Sequence, residues 1–324
     1  MPLNGKNKYP MKKLILILAF LMPMVAFAQK EDTRPKVGLV LAGGGAKAAA
    51  HIGALKEIEK AGIKVDYITG ASFGAVVGAL YAAGYSAAEL EEFFLSQEWL
   101  LLFAWEEIDV GESWKDVAKS VFSLLNGQSD KNDAEPFGLL KAEQVEDLIG
   151  QMLSARGVHL MQDFKIPFRC VATELNTLEE IDIRYGAAKR AIRASMSYPG
   201  LFKPIKTSTG KTLVDGGMLN NLPVDLCVDM GADVIIAVDL QQGEDNAYDF
   251  FIGRSGLLKW SKTRPDIMTH RKNVKRADVY INPNLAEYNV TSFTHDACSK
   301  MLREGENEAR KFQKQLQQIG QDKK

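Results

Sequence analysis

A serine between two glycines, in the pattern G-x-S-x-G, places the strongest constraint on how this chain folds. The motif runs from Gly70 to Gly74 around Ser72, after an apolar run at 65–69 and before a run of small residues at 75–80. The first run predicts a short buried strand and the second a helix. A serine on a sharp strand-to-helix turn needs small neighbours, because the flanking segments nearly collide there. The motif therefore predicts a nucleophile elbow, with a simple capping serine as the alternative.

A glycine-rich turn lies upstream, after the apolar strand predicted at 36–41. Gly43, Gly44 and Gly45 follow that strand and open a helix. This pattern is also typical of dinucleotide sites, but the acidic residue expected at the end of the second strand is missing. If the two strands are adjacent and parallel, they end at the same edge of the sheet. The glycine amides and the Ser72 hydroxyl are then expected to face one point, as an oxyanion hole requires.

An aspartate ends a third apolar stretch. Asp215 follows the run at 212–214 and precedes Gly216 and Gly217. We interpret this as another strand end that contributes to the site, and the alternative is a carboxylate that caps a turn. Asp239 also ends a predicted buried strand, but it lacks glycines that would open the backbone around it.

The rest of the chain alternates predicted strands and helices, which is typical of an α/β fold. A tryptophan-rich apolar run at 99–105 is interpreted as a buried helix, and the alternative is a mobile cover or a lipid-contacting surface. A capping box at Ser86 opens another helix. Further strands are predicted at 168–173, 180–185, 234–239 and 279–281, and further helices at 141–153, 187–196, 223–231 and, as one long closing helix, 297–319.

The N-terminal segment has the pattern of a signal peptide. Four lysines precede an apolar stretch at 14–25, and Ala26-Phe27-Ala28 then forms a small-x-small cleavage site. We therefore predict a signal peptide at 1–28 and a mature protein at 29–324, exported to the periplasm or secreted. An uncleaved membrane anchor is the alternative.

Charge and cysteine content exclude several classes of function. The formal net charge is −1, which gives no electrostatic footprint for nucleic acid. The three cysteines, Cys170, Cys227 and Cys298, are widely spaced and form no C-x-x-C pair. They predict small buried residues rather than a disulfide framework or a zinc site.

Four stretches together resemble the patatin-like phospholipase family. They are Gly43–Lys47 with His51–Gly53, then Gly70–Gly74, then Arg193–Gly200, and finally Asp215–Gly217. The similarity extends from about Lys36 to near Lys311. It implies a patatin-like α/β fold, namely a three-layer α/β/α sandwich with a mainly parallel central sheet, in a single acyl hydrolase domain with its core at about 36–311.

The resemblance also implies a Ser-Asp dyad that needs no catalytic histidine, cofactor or metal. Ser72 is then the nucleophile and Asp215 the general base in the hydrolysis of lipid acyl esters through an acyl-enzyme. One departure is Ala48, which stands where the family usually has glycine. Gly43, Gly44, Gly45, Ala46 and Lys47 are implied to bind the oxyanion and substrate, with Lys47 as cationic support, while Gly70 and Gly74 support the elbow and Gly216 and Gly217 the turn after the base.

The implied partner is a phospholipid or another acyl-ester lipid, with no nucleic acid. Basic residues at 259–276 are interpreted as a solvated face, and the alternative is peripheral contact with an anionic membrane surface. Two other functional hypotheses stay open. One is a Ser-His-Asp esterase that uses His270 or His295, and the other is a protein that binds lipid or a partner without turnover.

Overall fold

The computed structural model describes residues 34–97, 99, 102, 138–140, 142–242 and 264–321, with only the backbone of 138–140. The predicted signal peptide, most of the tryptophan-rich run and the first basic residues of 259–276 lie outside these ranges. No helix within them is long and apolar enough to cross a membrane.

An eight-stranded sheet forms the centre of the molecule. Its strand order is β10-β9-β1-β2-β4-β8-β7, with β5 paired to β4. Strands β10, β9, β1, β2 and β4 are parallel, and β5, β7 and β8 run antiparallel to their neighbours. The strands are β1 Val37–Leu41, β2 Val65–Ala71, β4 Phe168–Glu174, β5 Glu179–Ile183, β7 Ile205–Lys206, β8 Thr212–Asp215, β9 Val234–Val238 and β10 Val279–Ile281, and a separate parallel pair is β3 Gly138–Leu140 with β6 Gly200–Phe202.

Helices follow most of the strands, mainly where the hydrophobic pattern predicts them, but the pattern predicts neither the helix Gly217–Asn220 nor the helix Pro265–Val274. The capping box of Ser86 is present, because its hydroxyl accepts from the Glu89 N–H while the Glu89 carboxylate accepts from the Ser86 N–H. The helices are α1 Ala49–Lys60, α2 Ser72–Ala82, α3 Ala87–Ser96, α4 Glu143–Ala155, α5 Ala188–Ser195, α6 Gly217–Asn220, α7 Val224–Asp229, α8 Pro265–Val274, α9 His295–Arg310 and α10 Gln313–Gln321, with short 3-10 turns at Gly45–Ala48 and Met161–Asp163.

Strand β1 shows why the fold has three layers. All of its residues are buried, and successive side chains point to opposite faces of the sheet. Val37, Leu39 and Leu41 join the apolar cluster that contains α1, α2 and α9, whereas Val40 and the following Ala42 join a second cluster with α7. A strand that is covered on both faces has a continuous apolar sequence, as β1 does. The three-layer α/β/α sandwich with a mostly parallel sheet is confirmed.

The predicted single closing helix is wrong, since the structure has two helices, α9 and α10. The last turn of α9 tightens because Lys311 N–H and Phe312 N–H bond to carbonyls only three residues back, on Glu308 and Ala309. Phe312 then packs against the main core. Lys311 and Phe312 therefore separate the two helices.

A buried carboxylate joins the end of β4 to β8. Glu174 is only 3% exposed and accepts hydrogen bonds from the N–H groups of Asn176, Thr177 and Thr212 at 2.8, 2.7 and 3.0 Å. Burial by itself raises the pKa of this carboxyl, but the hydrogen bonds outweigh it and lower the pKa to about 2. Ionised Glu174 therefore fixes the tight turn after β4 and the start of the strand that carries Asp215.

Candidate active site

The ends of two strands meet along one edge of β4. At Val171 and Ala172, β5 pairs with one edge of β4, so β2 and β8 both pair with the opposite edge. There, Ala71 of β2 lies opposite Val171, and Asp215 of β8 lies opposite the next residue, Ala172. Ser72 directly follows Ala71. The sheet register therefore brings together the serine and the aspartate that the sequence singled out.

Ser72 occupies a strained turn. Its φ is +52°, a value that residues other than glycine rarely adopt. The serine is only 6% exposed. A Cβ on Gly74 would collide with the carbonyl of Leu41, and a Cβ on Gly70 would lie 2.8 Å from the backbone of Ala75. Gly70 therefore allows α2 to fold back closely on β2, Gly74 allows α2 to pack against the end of β1, and the strain is concentrated at the serine.

The turn that follows α5 connects the serine to the aspartate. The Oγ of Ser195 accepts a hydrogen bond from the N–H of Ser72 at 3.0 Å, and the Ser195 carbonyl accepts from the N–H of Gly216 at 3.3 Å. The N–H of Asp215 donates to the carbonyl of Ser197 at 2.9 Å. One short segment thus binds the backbone on both sides of the candidate site.

Asp215 is fully buried at the start of the turn after β8. Its Oδ1 accepts from the N–H of Gly217 at 2.9 Å. Gly216 packs so closely on the carbonyl of Val171 that a Cβ there would overlap it. Both glycines of the Asp-Gly-Gly motif therefore have a specific role, one as a donor to the carboxylate and one in close packing.

The glycine-rich loop passes beside Ser72. A Cβ on Gly43 would lie 2.9 Å from the Cβ of Ser72. The Gly43 N–H donates to the carbonyl of Asn221 at 3.1 Å, and the Ala46 N–H donates to the carbonyl of Val290 at 2.9 Å. These two amides therefore fix the loop within the fold, whereas the family resemblance implies that Gly43 and Ala46 bind the oxyanion.

Two loop amides are left available for a ligand. The Lys47 N–H donates to the carbonyl of Gly44 at 3.1 Å, while the N–H groups of Gly44 and Gly45 bond to nothing in the part of the chain that the structure describes. Gly45 has a φ of +56°, which turns the backbone at this point. The Lys47 side chain is half-buried, and this burial lowers its pKa. Lys47 thus follows the two available donors closely along the chain, two residues after Gly45.

The histidine beside this loop is structural. His51 is fully buried, and its Nε2 lies 2.7 Å from the carbonyl of Ala42. Burial lowers the pKa of His51 to about 4, so the ring is neutral near pH 7 and its N–H donates to that carbonyl. Ala48 is also buried and has φ −59° and ψ −16°, which are ordinary helical values. The departure from the family glycine therefore introduces no backbone strain.

The histidines of the alternative triad lie elsewhere. His270 Nε2 is 2.6 Å from Asp239 Oδ2, and the Tyr280 hydroxyl donates to the same oxygen at 2.7 Å. Burial lowers the pKa of His270, but the contact with Asp239 outweighs it and the net shift is upward. His295 is exposed at the start of α9. The structure thus places His270 against Asp239 rather than against Asp215.

The sequence patterns predict no role in the site for Ser195 or Val290. Ser195 lies in the family-like stretch Arg193–Gly200, which was the only available signal. Val290 lies in a segment without motif, and only the fold shows that it supports the loop.

Comparison with known proteins agrees with this architecture. A strained serine at a strand-to-helix turn, with an aspartate strand end and a glycine-rich loop beside it, has the geometry of a nucleophile elbow in an α/β fold. A family model described as patatin-like phospholipase matches residues 39–228, and the chain belongs to the patatin-like phospholipase family.

Named relatives share part of their length with this chain. "Patatin-like phospholipase domain-containing protein 6" from mouse is 32% identical over 232 residues, which are 71% of this chain and 15% of that protein. "Lysophospholipase nte1" from Aspergillus fumigatus is 34% identical over 213 residues, which are 65% of this chain and 12% of that protein. The solved structure of VipD from Legionella pneumophila matches with a TM-score of 0.46 and 15% identity, over 87% of this chain and 67% of that one. The chain thus spans less than a fifth of the length of these two sequence relatives.

Proposed function

We propose that the protein is a lipid acyl hydrolase that uses Ser72 as nucleophile and Asp215 as general base. The observation that carries this proposal is the meeting of β2 and β8 on one edge of β4, which places the strained serine next to the buried aspartate. Relatives named as phospholipases and lysophospholipases support a lipid ester as the substrate class.

The proposed reaction begins when Asp215 accepts the proton of the Ser72 hydroxyl. The serine oxygen then attacks the ester carbonyl carbon, and the electron pair of the C=O bond moves to the carbonyl oxygen. Collapse of this intermediate expels the alcohol, which takes the proton from Asp215, and leaves an acyl-serine. A water molecule, deprotonated by Asp215, then attacks the acyl carbon. The bond from this carbon to the Ser72 oxygen breaks, the serine oxygen takes the proton back from Asp215, and the fatty acid is released.

The available glycine amides suit the negative charge that develops on the carbonyl oxygen. We assign the oxyanion to the N–H groups of Gly44 and Gly45, because Gly43, Ala46 and Lys47 use theirs within the fold. One preorganised donor of this kind typically contributes about 3 kcal/mol of transition-state stabilisation. The Lys47 ammonium adds a positive charge at the same end of the sheet.

Hydrolysis assays on selected variants test the dyad. A short-chain p-nitrophenyl ester and phosphatidylcholine serve as substrates, with Ser72→Ala, Asp215→Asn and the double variant His270→Ala/His295→Ala. We expect the first two variants to lose at least about 10³-fold in kcat, because each removes a group that acts directly on the reacting atoms. We expect the histidine variant to keep its activity on the soluble ester. Loss in that variant would replace the dyad with a triad, and an inactive unmodified protein would favour a binding role.

We also propose that the protein is exported through the segment 1–28. The support is the lysine-rich start, the apolar stretch and the Ala26-Phe27-Ala28 site. The full chain is produced in a bacterial host and the N-terminus of the extracytoplasmic protein is sequenced, and Gln29 is the expected first residue. The variant Ala28→Arg serves as a control that blocks cleavage. Recovery of the unmodified protein in the membrane with its N-terminus intact would instead identify an anchor.

A further inference from the structure

The stretch Arg193–Gly200 resembles the family but has no part in the proposed chemistry. In the structure it forms the end of α5 and the turn behind the site. Ser195 is fully buried, and its side chain bonds to Ser72 while its carbonyl bonds to Gly216. No other side chain in the described part of the chain is recorded as a hydrogen-bond partner of the Ser72 backbone.

A buried arginine holds this turn. Arg193 is 1% exposed, and its Nη1 donates to Ser197 Oγ at 2.7 Å while its Nη2 donates to the Lys203 carbonyl at 2.9 Å. Ser197 Oγ in turn donates to the Arg193 carbonyl at 2.8 Å. The turn is therefore fixed independently of the two strands that it connects.

The bond from Ser72 to Ser195 matters because the serine is strained. A residue other than glycine at φ +52° is unfavourable and persists only where its surroundings hold it. The Ser195 hydroxyl holds the N–H of that residue, and the same turn holds the N–H of Asp215. Displacing this turn moves the nucleophile and the base relative to each other.

We propose that Ser195 is a positioning residue, which sets the distance between the Ser72 oxygen and the Asp215 carboxylate by bonding to the Ser72 backbone through its hydroxyl and to the backbone of Gly216, next to Asp215, through its carbonyl. The inference rests on the proposed function, since the two residues are treated as nucleophile and base. Ser195 itself contacts no reacting atom. Its removal is expected to slow the chemical step and to leave substrate binding almost unchanged.

The test compares Ser195→Ala with Thr69→Val. Thr69 is a suitable control because it is also fully buried, and valine at this position removes the hydrogen bond from Thr69 Oγ1 to the Pro223 carbonyl at 2.8 Å. We expect Ser195→Ala to lower kcat on the soluble ester by on the order of 10–100-fold, with KM within about twofold. The rate at which a fluorophosphonate labels Ser72 should fall by the same factor. Thr69→Val should lose thermal stability and keep both rates.

Amide hydrogen exchange tests the same contact without relying on turnover. We expect the peptide that contains Ser72 to exchange faster in Ser195→Ala than in the unmodified protein, and to be unchanged in Thr69→Val. Unaltered protection of this peptide, or wild-type kcat in Ser195→Ala, would overturn the inference. If Ser72→Ala retains hydrolysis, the proposed dyad fails, and the exchange result still decides whether Ser195 holds the turn.

Discussion

At the residue scale, the sequence identifies the reactive groups better than it identifies their supports. Ser72 and Asp215 each end an apolar run and have glycine neighbours, so local patterns are sufficient to find them. Ser195 contacts Ser72 across 123 positions of the chain, and Asn221 contacts Gly43 across 178. No spacing rule predicts such contacts, because they depend on how the strands are ordered.

Ala48→Gly tests whether the departure from the family glycine limits activity. Ala48 already has helical backbone angles and is fully buried, so glycine offers no conformation that the loop needs. We expect kcat to stay the same and the free energy of unfolding to fall by about 0.5–1 kcal/mol, because glycine loses more chain entropy on folding. Denaturant unfolding and ester hydrolysis provide the two measurements.

The matched control for this substitution is Ala88→Gly in α3. Ala88 is exposed and lies on a different helix, so it reports the helix-propensity cost alone. A severalfold rise in kcat in Ala48→Gly, absent in the control, would show instead that the alanine Cβ restrains the oxyanion loop.

At the element scale, the sequence predicts that β8 ends at Asp215 but not its direction. The apolar run at 212–214 is too short to show whether the strand is parallel or antiparallel. Strand β8 runs antiparallel to β4, and this direction is what brings its last residue to the end of β2. The closing helix shows the same limit, because its hydrophobic pattern continues across Lys311 and Phe312, where the structure divides it into α9 and α10.

The Glu174 turn should make the stability of the fold depend on pH at the acidic end. The folded-state pKa of Glu174 is about 2, below its ordinary value of 4.5. A carboxyl with a lowered folded pKa contributes stability that is fully present above its unfolded pKa. That contribution is lost as the pH falls through the interval between the two values. We therefore expect the turn to weaken between about pH 4.5 and pH 2.

Glu174→Gln isolates this contribution. We expect the variant to lose at least about 1.5 kcal/mol of unfolding free energy at pH 7, since hydrogen bonds to a charged group are removed. The difference from the unmodified protein should shrink towards pH 2, where Glu174 is protonated in the unfolded state and about half protonated in the folded state. Denaturant unfolding at several pH values measures this difference in unfolding free energy. The control is Glu179→Gln, because Glu179 is exposed. A difference that does not change with pH would show that the turn needs the shape of the side chain rather than its charge.

At the scale of the whole molecule, one helix face is suited to an anionic lipid surface. Four exposed residues lie on one face of α8 and its C-terminal end, namely Met268, Arg271, Lys272 and Lys275. The last three follow Met268 by three, four and seven residues, which is the spacing of one helix face. Met268 is 69% exposed. His270 on the same helix contacts Asp239, which follows β9 at the carboxyl edge of the parallel strands. The cations on this face would attract an anionic lipid surface.

Because the protein as a whole is slightly acidic, binding through this face should depend on anionic lipid. We expect Lys272→Gln/Lys275→Gln to weaken binding to phosphatidylglycerol-containing vesicles by about 30-fold, since each cation near such a surface contributes about 1 kcal/mol. Hydrolysis of a soluble ester should not change, because the substituted side chains lie outside the candidate site. The variant Arg303→Gln/Lys314→Gln removes the same charge from exposed positions on α9 and α10 and should bind normally. Equal weakening in both variants, measured by vesicle sedimentation with Ser72→Ala as background, would mean that net charge rather than the α8 face governs membrane contact.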